Sequence, residues 1–223
     1  MYLPGIVDAR VERWLLSTVP PRSGEFSAVE EEATRQGIPC IGPYEGQVLM
    51  TLAAVAGARN ILEIGTATGY SALWLARAAA ERQGTVTTVE SDAQRAAVAR
   101  ANLARCGFAA LATVVEGDGF TFLAGGAGSF DFIFLDMVSA LEQLTQVDRL
   151  FALCVQRLGP GGLLVSDNAL HAGQVADQPA PPSAQRYVRY NQLAFAHPDL
   201  ETVLLPVRDG LAISRRRSTT VRG

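Results

Sequence analysis

The chain has 223 residues, 48% of them hydrophobic and 18% charged, with a formal net charge of -3. These proportions describe one globular domain with a small extension, not a disordered chain, and the acidic balance argues against a nucleic-acid partner. All 19 Lys+Arg positions are arginine, which excludes Schiff-base chemistry and any phosphate loop built on a lysine.

No apolar run reaches the roughly 18 residues that span a bilayer, so no membrane association is expected. The opening MYLPGIVDARVERWLL is not a charged head followed by an apolar stretch, so no signal peptide is expected and the assigned compartment is the cytoplasm. Cys40, Cys106 and Cys154 lack CxxC spacing and read as apolar thiols in a reducing compartment. With only His171 and His197 to help them, they do not suggest zinc.

Helical spacing comes first. Val7, Val11, Trp14, Leu15 and Val19 form one run, stopped by Pro20-Pro21. Residues 27–35 read as an acidic helix, and residues 45–55 as a third with Val48, Leu49, Leu52 and Val55 on its apolar face. Strands and helices then alternate: strand 60–64, helix 70–81, strand 85–89, helix 93–106, strand 112–115, a short helix near Phe120, strand 130–135, helix 141–158 and strand 163–166. Apolar strands separated by helices imply a parallel sheet covered on both faces. Residues 177–183, rich in Pro and Ala, read as a loop or lid. Residues 202–205 and 211–214 flank Asp209-Gly210, a hairpin signal that closes the sheet with an antiparallel pair. Three parts follow: a helical extension over 1–58, a core domain over 59–215, and a basic tail over 216–223 expected to fray, with Arg215 beside it.

Ligands of an open parallel sheet bind beyond the carboxyl ends of its strands. Those ends carry Glu63 and the loop Gly65-Thr66-Ala67-Thr68-Gly69, then Glu90, then Gly117-Asp118, then Asp136, then Asp167-Asn168. The first loop lacks the GxGxxG spacing that lets a backbone approach a pyrophosphate, and Glu63 would repel phosphate, so a nicotinamide dehydrogenase is disfavoured. Glu90 suits ribose hydroxyls and Glu63 a cation. A nucleoside with a cationic tail and no phosphate fits, and S-adenosylmethionine is such a molecule. Asp136, Asp167 and Asn168 are hard oxygen donors suited to a divalent cation, Mg²⁺ first, with Ca²⁺ or Mn²⁺ as alternatives.

The segment ILEIGTATGYSALWLA, with GIPCIGPYEGQVL before it and TTVESD, FDFIFLD, GGLLVSDNAL and RDGLAIS after it, resembles the cation-dependent O-methyltransferases of the catechol and caffeoyl-CoA type over nearly the whole chain. The resemblance implies a Rossmann-like class I methyltransferase: an α/β fold with a mostly parallel seven-stranded sheet, an antiparallel C-terminal strand and the N-terminal helical extension. It implies that Ile41, Glu63, Gly65, Thr66, Ser71 and Glu90 surround the methyl donor, that Gly117 and Asp118 lie by its adenine, and that Asp136, Asp167 and Asn168 hold the cation, with Asp136 also near the donor. Asn191 matches an asparagine near substrate in some members, and relatives pair as homodimers through their N-terminal helices. The chain departs from the family where D-A-D-K and a following tyrosine are usual. Here Asp136-Met137-Val138-Ser139 is followed by Ala140-Leu141-Glu142, so Ser139 stands in the lysine's place. His171 is the candidate replacement base, and Met137 and Val138 are expected to make the acceptor wall apolar. The acceptor is expected to be a small molecule with vicinal oxygens. Two alternatives stay open: a tRNA hydroxyuridine methyltransferase using Arg186 and Arg189, and a donor-binding protein with weak or lost catalysis.

Overall fold

The computed structural model describes residues 8–126 and 128–218. Three helices, α1 (Ala9–Thr18), α2 (Gly24–Arg35) and α3 (Pro43–Val55), precede β1 (Asn60–Ile64). Alternation then runs α4 (Tyr70–Glu81), β2 (Thr85–Glu90), α5 (Ala93–Arg105), β3 (Ala112–Glu116), α6 (Gly119–Gly125), β4 (Phe130–Leu135), α7 (Leu144–Arg157), β5 (Leu158–Ser166), α8 (Pro182–Ala196), β6 (Leu200–Leu205) and β7 (Leu211–Arg216). The sheet order is β3-β2-β1-β4-β5-β7-β6, with β7 antiparallel to both neighbours. The expected hairpin is present, but β7 inserts beside β5, which leaves β6 at the edge.

Alternation along the central strands divides the core. Ile61, Phe132, Phe134 and Val165 face α4 and the N-terminal helices, whereas Leu62, Ile64, Ile133, Leu135 and Leu164 face α7 and α8. Nine of the twelve α4 residues are buried, since α2 and α3 cover the face that the sheet does not. Gly46 makes that third layer possible: a Cβ there would lie 2.2 Å from the Trp74 indole nitrogen. Phe26 of α2 meets Tyr70 and Trp74 edge-on at 5.7 and 5.0 Å.

Several expected boundaries move. The long helix begins at Leu144, where Gln143 and Gln146 form a reciprocal cap, and a 3₁₀ turn over Val138–Ala140 precedes it. It ends at Arg157 because Leu158 already pairs with Phe130 in the sheet. Helix α8 is an element the sequence reading did not assign. Pro182 starts it, and Ala184, Tyr187, Tyr190 and Ala194 form its buried stripe. Val55 is 82% exposed, not part of the apolar face of α3. Arg215 and Arg216 belong to β7, where Arg216 donates to the Val155 and Leu158 carbonyls; positions 219–223 of the expected tail lie outside the described residues, as does Val7 of the first helical run. Among the described residues no helix is long and apolar enough to cross a membrane.

Candidate active site

At the end of β1 the chain turns through Gly65, whose φ is +99°. A Cβ there would fall 2.3 Å from the Asp136 carbonyl oxygen, so the close approach of the β1 and β4 ends requires glycine. Ala67, at φ 47°, donates its N–H to Glu90 Oε2 at 2.8 Å. Glu90 Oε1 accepts from the Asp92 N–H at 3.0 Å and from Arg95 Nη2 at 2.9 Å. The residue expected to hold a ribose therefore also ties the loop to α5.

Glu63 is fully buried on β1. Its Oε2 accepts from the Thr88 hydroxyl, which also hydrogen-bonds Thr66, and the Ser71 hydroxyl is a further partner of the carboxyl. Oε1 has no partner. Burial pushes the Glu63 pKa up to about 7 against the hydrogen bonds from Ser71 and Thr88, and the Glu90 charge adds to the rise. A buried carboxyl with an orphaned oxygen is suited to a cationic ligand. Gly117 donates its N–H to the Glu90 carbonyl at 2.9 Å. Asp118 caps α6 by accepting from Thr121 N–H at 2.8 Å and stands at a hollow it shares with Phe120 and Gln146. Ile41, expected beside the donor, is 2% exposed and packs in the core.

A separate cavity of about 350 Å³ opens beyond β4 and β5. It brings together Asp136, Ser139, Asp167, Asn168 and His171, all singled out from the sequence. Tyr187, Arg208 and Asp209 complete this wall and were not anticipated as site residues. His171 stacks on Tyr187 with ring centroids 4.5 Å apart and planes 19° apart. Burial, only partly opposed by Arg186, pushes the Tyr187 phenol up to about 12. Asp209 accepts from the Ala172 N–H; its carboxyl is raised by burial and drawn back by that bond and by the charges of His171 and Arg208. The Ser139 carbonyl accepts from Arg186 Nη1 at 2.6 Å, while its hydroxyl makes no hydrogen bond among the described residues.

Charge behind the cavity is unbalanced. Glu45 of α3 is fully buried, and its Oε2 accepts from Arg208 Nη1 at 3.0 Å. Burial and then the charge of Asp167 raise the Glu45 carboxyl. Asp136 is raised by burial and then by Asp167, and Asp167 by burial foremost, while Arg208 draws both down. Three acids thus share one guanidinium, so burial and mutual repulsion favour their protonated forms, and a bound cation would favour ionisation. Among the described residues no three His, Cys, Asp or Glu side chains form a metal-holding group. Asp136, Asp167 and the Asn168 amide, the oxygen donors expected from the sequence, all line the cavity. In sequence, Glu45 is four residues ahead of Leu49 and so lies in line with the apolar face of its helix, a signal that could have marked it.

Other expected positions lie elsewhere. Met137 does not line the cavity; the 3₁₀ turn directs its sulfur toward Gly119, 3.2 Å from where a Cβ would sit. Val138 is 2% exposed and belongs to the core, so neither residue lines this cavity. Asn191 also stays outside the cavity and instead donates to the Ala169 carbonyl at 2.8 Å, bracing the loop after Asn168. Arg186 is spent on the Ser139 and Leu141 carbonyls, and Arg189 on both oxygens of Asp148.

Comparison with known proteins gives these features a context. The family model described as O-methyltransferase matches residues 28–217. A catechol O-methyltransferase of Niastella koreensis is 32% identical over 84% of this chain and 87% of its own length. Caffeoyl-CoA O-methyltransferase 1 of Eucalyptus globulus is 32% identical over 95% of this chain and 89% of its own. Among solved structures, the O-methyltransferase from Bacillus cereus in complex with SAH superposes with a TM-score of 0.81 at 27% identity, covering 93% of this chain and 97% of that one.

Proposed function

Because this chain belongs to the O-methyltransferase family, we propose that it moves the sulfonium methyl of S-adenosylmethionine to a hydroxyl of a small aromatic acceptor with vicinal oxygens, in the cavity at Asp136 and beside a divalent cation. The observation that carries the reading is the meeting of Asp136, Asp167 and Asn168 with Ser139 and His171 in one cavity. The orphaned oxygen of Glu63 supports a cationic methyl donor, and so does the donor product named with the Bacillus cereus relative. A divalent cation, Mg²⁺ foremost, held by Asp136, Asp167 and Asn168 would acidify the acceptor oxygens bound to it.

The S–CH₃ bond breaks as the O–CH₃ bond forms. The sulfur keeps the electron pair, and the hydroxyl proton goes to a base. The sequence has no lysine to take it, and among the described residues no group hydrogen-bonds the Ser139 hydroxyl to activate it. We assign the proton to His171, backed by Asp209 and supported against Tyr187. Arg208 cannot accept a proton, but its fixed charge favours the acceptor oxyanion. The internal bonds of Arg186 and Arg189 leave little support for a tRNA acceptor. Pairing of two copies finds support in the exposed Val11 and Trp14 of α1; analytical ultracentrifugation tests it.

Purified protein is incubated with the methyl donor and catechol, with Mg²⁺ or with a chelator, and products are read by mass. The expected result is one added methyl group, lost on chelation. Failure to methylate any catechol, together with no calorimetric cation binding, would overturn the reading; donor binding alone would favour a protein that keeps the pocket without the chemistry.

A further inference from the structure

The cavity has a second wall that the proposed reaction does not use. Helix α2 contributes Glu30 and Thr34 to it, and the turn after α2 contributes Gly37 to Cys40. Glu30 is held from behind. Its Oε2 accepts from the Tyr70 hydroxyl at 2.9 Å and from Arg22 Nη2 at 3.3 Å. Its Oε1 has no hydrogen-bond partner among the described residues. Two donors on one oxygen fix the plane of the carboxylate, and the other oxygen keeps its acceptor capacity. Only 20% of the side chain is exposed, so this oxygen is not one of many on an open surface. Tyr70 opens α4, immediately after the Gly65–Gly69 loop, so the acid is anchored to the same rigid segment that forms the expected donor site.

The rest of the lining sharpens what this oxygen selects. Asp136, Asp167 and Asp209 are acids, and Arg208, the arginine in the lining, is tied to buried Glu45. Beside Glu30 the cation is Arg22, already held by Glu30 Oε2, so an anionic group brought in there meets Oε1 of Glu30 first. The volume, about 350 Å³, is at the small end of ligand cavities and suits a compact aromatic molecule. We propose that Glu30 is a specificity-determining residue: it receives a hydrogen-bond donor, such as a hydroxyl, amide or ammonium, carried by a compact aromatic acceptor away from its reacting oxygens, and it rejects acceptors with a carboxylate there. This inference rests on the methyl-transfer reading for the location of the reacting oxygens.

The test compares catechol, a catechol with an ethylammonium chain and a catechol with a carboxymethyl chain. Each is titrated calorimetrically into the full chain saturated with demethylated donor and Mg²⁺, and each is assayed for turnover. Glu30→Gln keeps an acceptor for Tyr70 and Arg22, and a thermal melt checks that it folds like the parent. The expected result is that the parent binds the amine at least about tenfold more tightly than the acid, in line with a charge-assisted hydrogen bond. In Glu30→Gln that gap narrows from both sides, while unsubstituted catechol changes less than about twofold. Equal parental affinities for amine and acid, no binding of either, or a uniform change across all three compounds in the variant would overturn the assignment. Turnover that fails while the binding preference and its response to Glu30→Gln persist would fault the reaction proposed above and leave the role of Glu30 standing.

Discussion

Around Glu63 and Glu90 the walls come from one stretch of chain, residues 63–95, and the loop's polar groups are largely paired with one another. Around Asp136 and Asp167 the walls come from segments as distant as Glu30 and Asp209, and buried acids outnumber the guanidinium that serves them. Backbone strain is distributed in the same way. Asn168, His171, Ala172 and Arg208 hold φ of 59°, 41°, 52° and 49° beside the cavity, where the donor loop has the single non-glycine case of Ala67. Side-chain-bearing residues in the left-handed region persist only where their surroundings over-determine them. The proposed donor side is thus a local, mostly satisfied structure, and the proposed acceptor side is a tertiary structure with stored charge and strain.

The largest expected effect attacks that stored charge. Asp136→Asn or Asp167→Asn should lower the methyl-transfer rate by about 10³-fold or more, since each removes an oxyanion donor from the proposed cation site. Without added cation, the same substitutions should raise the melting temperature. The folded-state carboxyls titrate above their unfolded values, so their ionisation opposes folding once the pH passes the unfolded value, and the amide removes that penalty. Lower thermal stability for both variants would mean the acids are already balanced. His171→Ala comes next, with an expected loss of about 10²-fold in rate and partial recovery on adding Ser139→Lys. An unchanged rate in His171→Ala would remove His171 from the reaction.

What the sequence disclosed follows the same division. Strand ends could be read because apolar strands in a parallel sheet end where ligands bind, so Glu63, Glu90, Asp136 and Asp167 were identified by position alone. Glu45 and Arg208 could not be read that way. A lone acid in an apolar helix and an Arg-Asp-Gly turn become partners only when segments 163 residues apart meet at 3.0 Å. Met137 was placed by its position after Asp136 in the segment that departs from the family pattern, and that position does not show that the chain turns there into a 3₁₀ helix with the Met137 sulfur toward Gly119. Helix α8 escaped because its proline start was absorbed into the Pro-Ala stretch before it, although its buried stripe repeats at helical spacing. Glu30 lies on a helix that reads only as acidic, and its contacts with Tyr70 and Arg22 appear when distant segments meet.

On the donor side a smaller effect is expected, visible as a pH dependence. Burial holds the Glu63 pKa up to about 7, so the carboxyl is mostly protonated at pH 6 and mostly ionised at pH 8. A sulfonium donor prefers the ionised form. Its affinity should therefore rise with pH, by roughly tenfold between pH 6 and 8 if binding requires the charge. The demethylated product, lacking the sulfonium charge, should show a weaker rise, and Glu63→Gln should flatten both profiles. Equal slopes for donor and product would mean that Glu63 senses the amino group they share.

The smallest expected effect separates charge from strain at a single residue. Arg208 supplies the guanidinium for Glu45 and does so from φ 49°, a conformation that side chains rarely hold. Arg208→Ala removes the charge and keeps the strain, whereas Arg208→Gly removes both. Each leaves Glu45 buried without its ion pair, so that loss is common to the two variants and cancels between them. What remains is the backbone preference, and the glycine variant should be the more stable in urea unfolding by about 1 kcal/mol. Rates then distinguish the two roles. If the guanidinium charge stabilises the acceptor oxyanion, both variants lose about tenfold in kcat/KM to the same extent. If the residue matters by shaping the turn before Asp209, the alanine variant retains more activity than the glycine variant, because the glycine lets that turn relax.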